Sequence, residues 1–219
     1  MMKFSSLTNR VRKASSGFTM IELLIVIAIL GILATAVLSA INPVEQINRG
    51  RDTGTRSDAE QLISAIDRHN AFKGFFPWMA GASDTDSTFD DGASNPALIS
   101  TTGPNDHQAT PCHFLNKLST IDAVGDPCAA GQGTEELKIT FVDRITDPDY
   151  RGLYIYNAGT TGSSTYVCFI PQSKAFRTDA ETRCADDTGS GLPSDLSAVA
   201  GFLCSGYGDP ALDVFSCLP

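Results

Sequence analysis

Hydrophobic residues form one long continuous run near the start of the chain, between Gly17 and Ile41. Glu22 is the only charged residue in this run, and no charge follows it from Leu23 to Ile41. An uncharged apolar stretch of this length is sufficient to cross the hydrocarbon core of a bilayer as an α-helix. A carboxylate in lipid costs roughly 2–3 kcal/mol or more, so we interpret Glu22 as a functional residue.

A second, amphipathic pattern follows the apolar run. Its apolar residues recur at helical spacing and form one stripe, made of Ala59, Leu62, Ile63, Ile66 and Phe72. The pattern predicts a helix over residues 43–76 whose stripe packs against the following domain. With the apolar run it would form a rod from Phe18 to about Phe72, roughly 80 Å long at 1.5 Å per residue.

Three features interrupt or end this rod. Pro43 follows Asn42 and should kink or locally open the helix, because proline lacks an N–H and clashes with the preceding turn. Ser57 and Glu60 have capping-box spacing, which permits a break and a restart there. The sequence Gly74-Phe75-Phe76-Pro77 is expected to stop the helix.

The remaining segments predict an α+β domain. Residues 79–111 have loop composition, a short helix is expected over 113–122, and strands are expected over 137–142, 153–156 and 165–170. The last 40 residues are polar and rich in glycine and proline, so we expect loops stapled by disulfides. The predicted fold is a long N-terminal helix, with an apolar front half and an amphipathic rear half, packed on a short antiparallel sheet.

Four basic residues and no acidic residue precede the apolar run: Lys3, Arg10, Arg12 and Lys13. The positive-inside rule therefore keeps the N-terminus cytoplasmic and exports everything after Ile41. A secretory signal would place its small-residue cleavage site after a shorter apolar core. Here the apolar core is longer, and the small residues, Ser15-Ser16-Gly17, come before it. Cleavage at these residues would remove the basic charges and keep the apolar helix.

The segment Gly17-Phe18-Thr19-Met20-Ile21-Glu22 resembles the prepilin signature of type IV pilins and type II secretion pseudopilins. The resemblance implies cleavage between Gly17 and Phe18 by a membrane prepilin peptidase and methylation of the new Phe18 amino group. It implies a leader at 1–17, a transmembrane and filament-core helix at 18–42, a rear helix at 43–76 and an exported domain at 77–219. The Gly-aromatic-Pro exit at 74–77 and a tyrosine-bearing hairpin after Asp147-Pro148 also resemble this family.

The residues themselves suggest how Glu22 would act. On a helix, residues four apart share a face, so one chain would present the Phe18 ammonium and the Glu22 carboxylate on the same side. In a stack of such helices, the ammonium of one subunit can pair with Glu22 of its neighbour. The alternative is a single-pass anchor in which Glu22 only reaches the headgroups.

Six cysteines lie in the part assigned to the outside: Cys112, Cys128, Cys168, Cys184, Cys204 and Cys217. An even number in an exported domain indicates disulfides, and six cysteines allow 15 connectivities. We prefer sequential pairing, 112–128, 168–184 and 204–217. A metal site at His107, Cys112 and His113 lacks paired Cys-x-x-Cys support, and neither Asp84, Asp86, Asp90 and Asp91 nor Asp147 and Asp149 match a calcium motif. We predict no metal and no cofactor.

Net charge narrows the possible partners. The chain carries −9, and the side chains after residue 17 sum to −13 because the leader holds four bases and no acid. We therefore expect no broad nucleic-acid binding. Catalytic motifs such as a nucleophile elbow, a phosphate loop or His-Glu-x-x-His are missing from the sequence, and we interpret His69, His107 and His113 as surface or capping residues. We do not expect an enzyme.

Three functions remain open at this point. The first is a subunit of a type IV pilus-like filament, and the second is a pseudopilin of a type II secretion system. The third is a single-pass anchored exported binding domain. The first two imply other subunits, the prepilin peptidase and an inner-membrane assembly platform as partners. They also imply a single-pass inner-membrane precursor that moves into an extracellular or periplasmic filament.

Overall fold

The computed structural model divides the chain into two units, Met1–Pro43 and Val44–Pro219. Each unit is described by itself. The residues that the structure describes are 17–40, 42–90, 94, 96–99, 113–119, 133–147, 149–150, 152–160, 162–186, 188–209 and 212–219.

The first unit contains helix α1, Met20–Ala40. Apolar side chains surround it on all sides and are exposed throughout. Met20–Ser39 is the one segment within the described residues that is long and apolar enough to cross a membrane. These properties agree with the helix predicted from the apolar run.

Helix α2, Pro43–Lys73, begins with proline at its first position, where the missing N–H costs no intrahelical bond. Asn42 lies outside both helices, so the predicted opening before Pro43 is confirmed and the rod is not one uninterrupted helix. The break and restart that Ser57 and Glu60 would permit does not occur, since α2 continues through both residues. Gly74 ends the helix with φ of 80°, and its N–H donates to Asn70 O at 2.8 Å.

The amphipathic stripe of α2 is largely as predicted. Ala59, Leu62 and Ile66 are completely buried and Ile63 nearly so. Phe72 is 77% exposed, so its assignment to the stripe is wrong. His69 takes the buried place instead, with its Nδ1 3.2 Å from Phe75 O. Its assignment as a surface residue is therefore also wrong.

The sheet is antiparallel, with β3 (Tyr154–Ala158) and β4 (Thr165–Phe169) at its centre. Strand β5, Ser216–Leu218, pairs with β4, while the two-residue strands β1 (Thr88–Phe89) and β2 (Ala97–Leu98) pair with β3. The strands predicted at 153–156 and 165–170 are confirmed. Strands β1 and β2 fall in the segment predicted as loop.

Helix α3, Phe114–Ser119, agrees with the short predicted helix, whose last residues lie outside the described part. The strand predicted over 137–142 is wrong, because α4, Ile139–Ile145, occupies most of it. Leu137, Phe141 and Ile145 are buried at a spacing of four, whereas Ile139 is half exposed. The alternation up to Val142 suggested a strand, but the same residues also fit a helical period that continues to Ile145.

The last 40 residues contain more regular structure than predicted. Helix α5, Lys174–Cys184, is followed by a 3₁₀ turn, Ser197–Val199, and by α6, Ala200–Leu203. In the loop after α6, the Arg177 guanidinium donates to the carbonyls of Gly206, Asp209 and Leu212. One cation on α5 therefore organises this loop together with the disulfides.

Both faces of the sheet are covered. On β4, Val167 and Phe169 join a hydrophobic cluster with the α2 stripe, Trp78, α3 and α4. Tyr166 and Cys168 point into a second cluster formed with α5, α6 and the last residues. Because alternate residues enter different clusters, all five residues of β4 are buried. The predicted α+β architecture is confirmed.

The sequential disulfide pairing is wrong within the described residues. The bonds are Cys168–Cys217 and Cys184–Cys204, and no described cysteine is free. Cys168 and Cys217 are direct partners in the β4–β5 register. Cys184 ends α5 and Cys204 directly follows α6. The predicted 112–128 pair lies outside the described residues.

Carboxylates of α2 hold the start of α5. Asp52 is 2% exposed and accepts from Gln172 N at 3.0 Å and Ser173 N at 2.7 Å. Two helical turns earlier on α2, Glu45 Oε1 accepts from Lys174 N at 2.8 Å. The Ser173 hydroxyl caps the helix by accepting from Phe176 N. These contacts join segments about 120 residues apart in the chain, so the sequence gives no local sign of them.

We expect Asp52→Asn to lower the free energy of unfolding by about 1–3 kcal/mol, because an amide –NH2 would replace one of the two oxygens that accept from Gln172 N and the bonds would lose their charge. Glu45→Gln is the matched control. It keeps a carbonyl oxygen for Lys174 in a more exposed contact and should cost under about 1 kcal/mol. Urea titration of the detergent-solubilised full chain measures both. Equal losses in the two variants would contradict the role assigned to Asp52.

The surroundings of His113 disfavour the protonated form of its imidazole. Burial, and then the nearby Lys117 ammonium, lowers the pKa of His113 to about 4. Leu115 N donates to its Nδ1 at 3.3 Å, which requires that nitrogen unprotonated and confirms the capping role. The unfolded chain takes up a proton near pH 6.5, whereas the folded chain does not until about pH 4.

We therefore expect stability to be full above pH 6.5 and to fall as pH drops towards 4. The loss is at most about 3 kcal/mol, and less because the ring is partly exposed. His113→Gln should flatten this pH dependence. Unfolding by urea at pH 7 and pH 4.5 provides the comparison. An unchanged pH slope in the variant would assign the acid sensitivity to other groups.

Candidate processing and assembly site

The start of α1 is fixed by a reciprocal pair of side chains. Thr19 Oγ1 accepts from Glu22 N at 3.2 Å, while Glu22 Oε2 accepts from Thr19 N at 2.8 Å and from Thr19 Oγ1 at 2.7 Å. This is a capping box with threonine at the N-cap and glutamate at the third helical position. The first helical bond, from Leu23 N to Thr19 O, follows directly.

One carboxylate oxygen of Glu22 makes no hydrogen bond within the described residues. All of its hydrogen bonds in the described part of the chain use Oε2, which leaves Oε1 available to a cation from outside. The surrounding side chains are apolar and exposed, so any surface that buries α1 also removes water from this carboxylate. The site can therefore bind one cationic group in an apolar setting.

Gly17 and Phe18 precede the helix and are exposed. A Cβ built on Gly17 would meet no described atom within 4 Å, so the described structure does not itself require glycine there. Phe18 lies one residue before the N-cap. In the uncleaved chain the capping box begins the helix at Thr19, so Phe18 lies outside it. The expectation that Phe18 and Glu22 share a helical face concerns the chain after cleavage and stays a prediction.

A family model described as the prokaryotic N-terminal methylation motif matches residues 12–38, which include this site. These residues carry the type IV pilin or pseudopilin signature. No match to the chain was found among curated proteins or among solved structures. The prepilin-type signature implies processing by a prepilin peptidase and assembly of pilin-like subunits. With α1, it fits the membrane anchoring of a single-pass protein.

The other candidate sites lie only partly within the described residues. Across the described ranges no group of three or more His, Cys, Asp or Glu residues could hold a metal ion. Asp84 accepts from the backbone of Ala80 and Asp86, and Asp147 accepts from Asp149 N, so these carboxylates organise their own turns. His107, Asp91 and Cys112 lie outside the described residues.

Sequence reasoning missed Thr19. Its signal was present, since Ser or Thr followed three residues later by Glu before an apolar run is a capping-box pattern. That pattern overlaps the prepilin-type signature, and the interpretation of Glu22 as an assembly residue obscured its local role. Glu22 has two structural relationships here, one local with Thr19 and one open to a partner.

Proposed function

We propose that this chain is a structural subunit of a type IV pilus-like filament, processed at Gly17–Phe18 and assembled through α1. The prepilin-type signature at residues 12–38 carries the proposal, because removal of a basic leader would leave an apolar helix that begins with a carboxylate. The exposed apolar surface of α1 needs either lipid or other helices to cover it. A membrane supplies the lipid, and a filament core of packed α1 helices supplies the other helices.

The subunit is first a single-pass inner-membrane protein with its basic N-terminus in the cytoplasm. The prepilin peptidase cleaves after Gly17 and methylates Phe18, and an inner-membrane platform then moves the subunit into the filament. The two disulfides of the described domain suit an oxidising exterior. The domain itself has a structural role and is not an enzyme.

A type II secretion pseudopilin is the second candidate, because the signature is common to both filament types. The disulfide-linked C-terminal region, with Cys168–Cys217 and Cys184–Cys204, favours an exposed pilus subunit. A single-pass anchored binding domain is less well supported, since it leaves the adjoining Gly17-Phe18 without a role.

Mass spectrometry and electron microscopy of the producing cells test the proposal. We expect a mature chain that begins at methylated Phe18 and surface filaments that an antibody against the chain decorates. A mature chain that begins at Met1 or beyond Ile41 would exclude prepilin processing. Processed chain in periplasmic filaments alone would favour the pseudopilin, and processed chain in no filament would favour the anchor.

A further inference from the structure

A groove of about 440 Å³ lies beside the first half of α2, within the second unit. Its lining includes Arg51, Thr55, Asp58, Arg144, Tyr150 and Gln172. At its base, the nearly buried Asp58 accepts from Arg144 Nη2 at 2.7 Å and from the Tyr150 hydroxyl at 2.8 Å. Burial, and then the neighbouring Asp58 carboxylate, raises the pKa of Tyr150. Its hydroxyl therefore remains protonated and donates to Asp58. The Asp58 carboxylate in the groove is therefore already paired with a cation and a hydroxyl donor.

The two arginines of the groove retain unused capacity. Arg144 contacts Asp58 through one guanidinium nitrogen and its side chain is still 54% exposed. Arg51 is exposed, and its side chain makes no hydrogen bond or ion pair within the described residues. Asp149, on the rim, is the other acidic residue among the described lining residues. Two guanidinium groups that face one cavity match the geometry of carboxylates, which arginine binds through paired N–H donors.

The same face of α2 carries two exposed aliphatic side chains ahead of the groove. Val44 and Ile47 are 62% and 57% exposed, and they precede Arg51 at helical spacings of seven and four. Exposed aliphatic residues next to arginines are characteristic of protein interfaces, where arginine is enriched and apolar area is buried. The combination favours a protein segment over a small anion as the occupant.

The net charge of the chain favours a second copy of the same chain as that protein. Residues 77–219 carry 19 acidic and seven basic side chains, a balance of −12. Exposed carboxylates of the described part include Asp143, Asp179, Asp209 and Asp213. Copies of such a domain repel one another unless cationic surfaces face acidic ones. Arg51 and Arg144 provide a cationic surface of this kind on every copy.

We propose that the Arg51–Arg144 groove and the adjoining Val44–Ile47 face bind a carboxylate-bearing acidic segment of a second copy of this chain. This inference rests on the proposed filament function and assigns a second contact between subunits, independent of Glu22. The contact is heterologous, because the groove and the acidic segment are different surfaces, and such contacts propagate into helical filaments.

The test uses the full-length chain in its producing cells. Arg51→Glu should lower the yield of surface filaments at least tenfold, while Arg51→Lys, which keeps the charge, should lose less. Arg56→Glu is the matched control and should stay within about twofold of wild type. Arg56 lies on the same helix but outside the groove, where it pairs with Glu60 at 3.2 Å. Arg144 is left intact because its loss would leave the buried Asp58 carboxylate unpaired.

A photo-crosslinking residue at position 51 identifies the occupant. We expect a covalent dimer of this chain whose second peptide maps to an acidic segment of residues 77–219. A crosslink to another protein, no crosslink, or a small anion that alone occupies the groove would overturn the inference. Normal filaments from Arg51→Glu would overturn it and leave the proposed function standing. A wild-type chain that forms no filament would overturn the proposed function, and the inference with it.

Discussion

Gly17→Val should leave the chain uncleaved in the membrane, with the whole leader still attached. The structure gives the physical reason for a clean test at this position. A Cβ at Gly17 meets no described atom within 4 Å, and φ at Gly17 does not require glycine. The described fold therefore tolerates valine. If valine blocks cleavage, the requirement for glycine comes from the peptidase, where a branched side chain fills the space next to the scissile bond.

Intact mass measurement of the membrane fraction gives the result directly, because cleavage removes 17 residues and methylation adds one carbon. Gly31→Val is the matched control. Gly31 lies within α1, and a Cβ there also meets no described atom within 4 Å outside the helix's own backbone. It should be processed normally. Efficient cleavage of Gly17→Val at the same bond would separate this site from the prepilin-type signature.

The local features of the fold could be predicted from the sequence, but its long-range pairings could not. The α1 helix, the opening before Pro43 and strands β3 and β4 each follow from patterns within a few residues. The disulfide pairing failed because sequence proximity favoured short loops, whereas β5 returns to lie beside β4 and brings Cys217 to Cys168. The strand assigned to 137–142 failed because a short alternating run also fits a buried helical face.

The same distinction applies to the candidate sites. Glu22 was visible because one charge interrupts an apolar run, and Thr19 was visible in principle as a capping residue. The Arg51–Arg144 groove was not predictable, because Asp58 lies 86 residues from Arg144 and 92 from Tyr150. The buried Asp52 was missed for the same reason. Charged residues inside a domain are identified by their partners, and those partners are distant in sequence.

If the chain forms the proposed filament, Glu22→Ala should abolish it while leaving the second unit folded and the leader removed. A subunit that enters a core of packed α1 helices would carry the new Phe18 ammonium into an apolar environment. With Glu22 of a neighbour absent, that ammonium has no counter-charge. Removing one member of a buried ion pair costs about 3–5 kcal/mol. This cost recurs in every subunit, so elongation should fail and surface filaments should be absent by electron microscopy.

The capping box adds a second effect of this substitution, and it must be separated from the first. Glu22→Ala also removes the contacts that its carboxylate accepts from Thr19, which weakens the start of α1. Glu22→Gln keeps the capping geometry, because glutamine serves at the same position of a capping box, but it removes the charge. Thr19→Ala does the reverse, since it removes the N-cap hydroxyl and keeps the carboxylate.

If Glu22 pairs with the ammonium of a neighbour, filament formation by the four variants should depend on whether the variant keeps the Glu22 charge. We expect Glu22→Ala, Glu22→Val and Glu22→Gln to be processed, disulfide-bonded and unable to form filaments. Thr19→Ala should assemble filaments, in lower yield, because Oε1 of Glu22 is already free of the capping contacts and its charge remains. Filaments from Glu22→Gln together with none from Thr19→Ala would show that assembly depends on how the helix begins. Normal filaments from Glu22→Ala would remove the assembly role of this carboxylate and favour the simple membrane anchor.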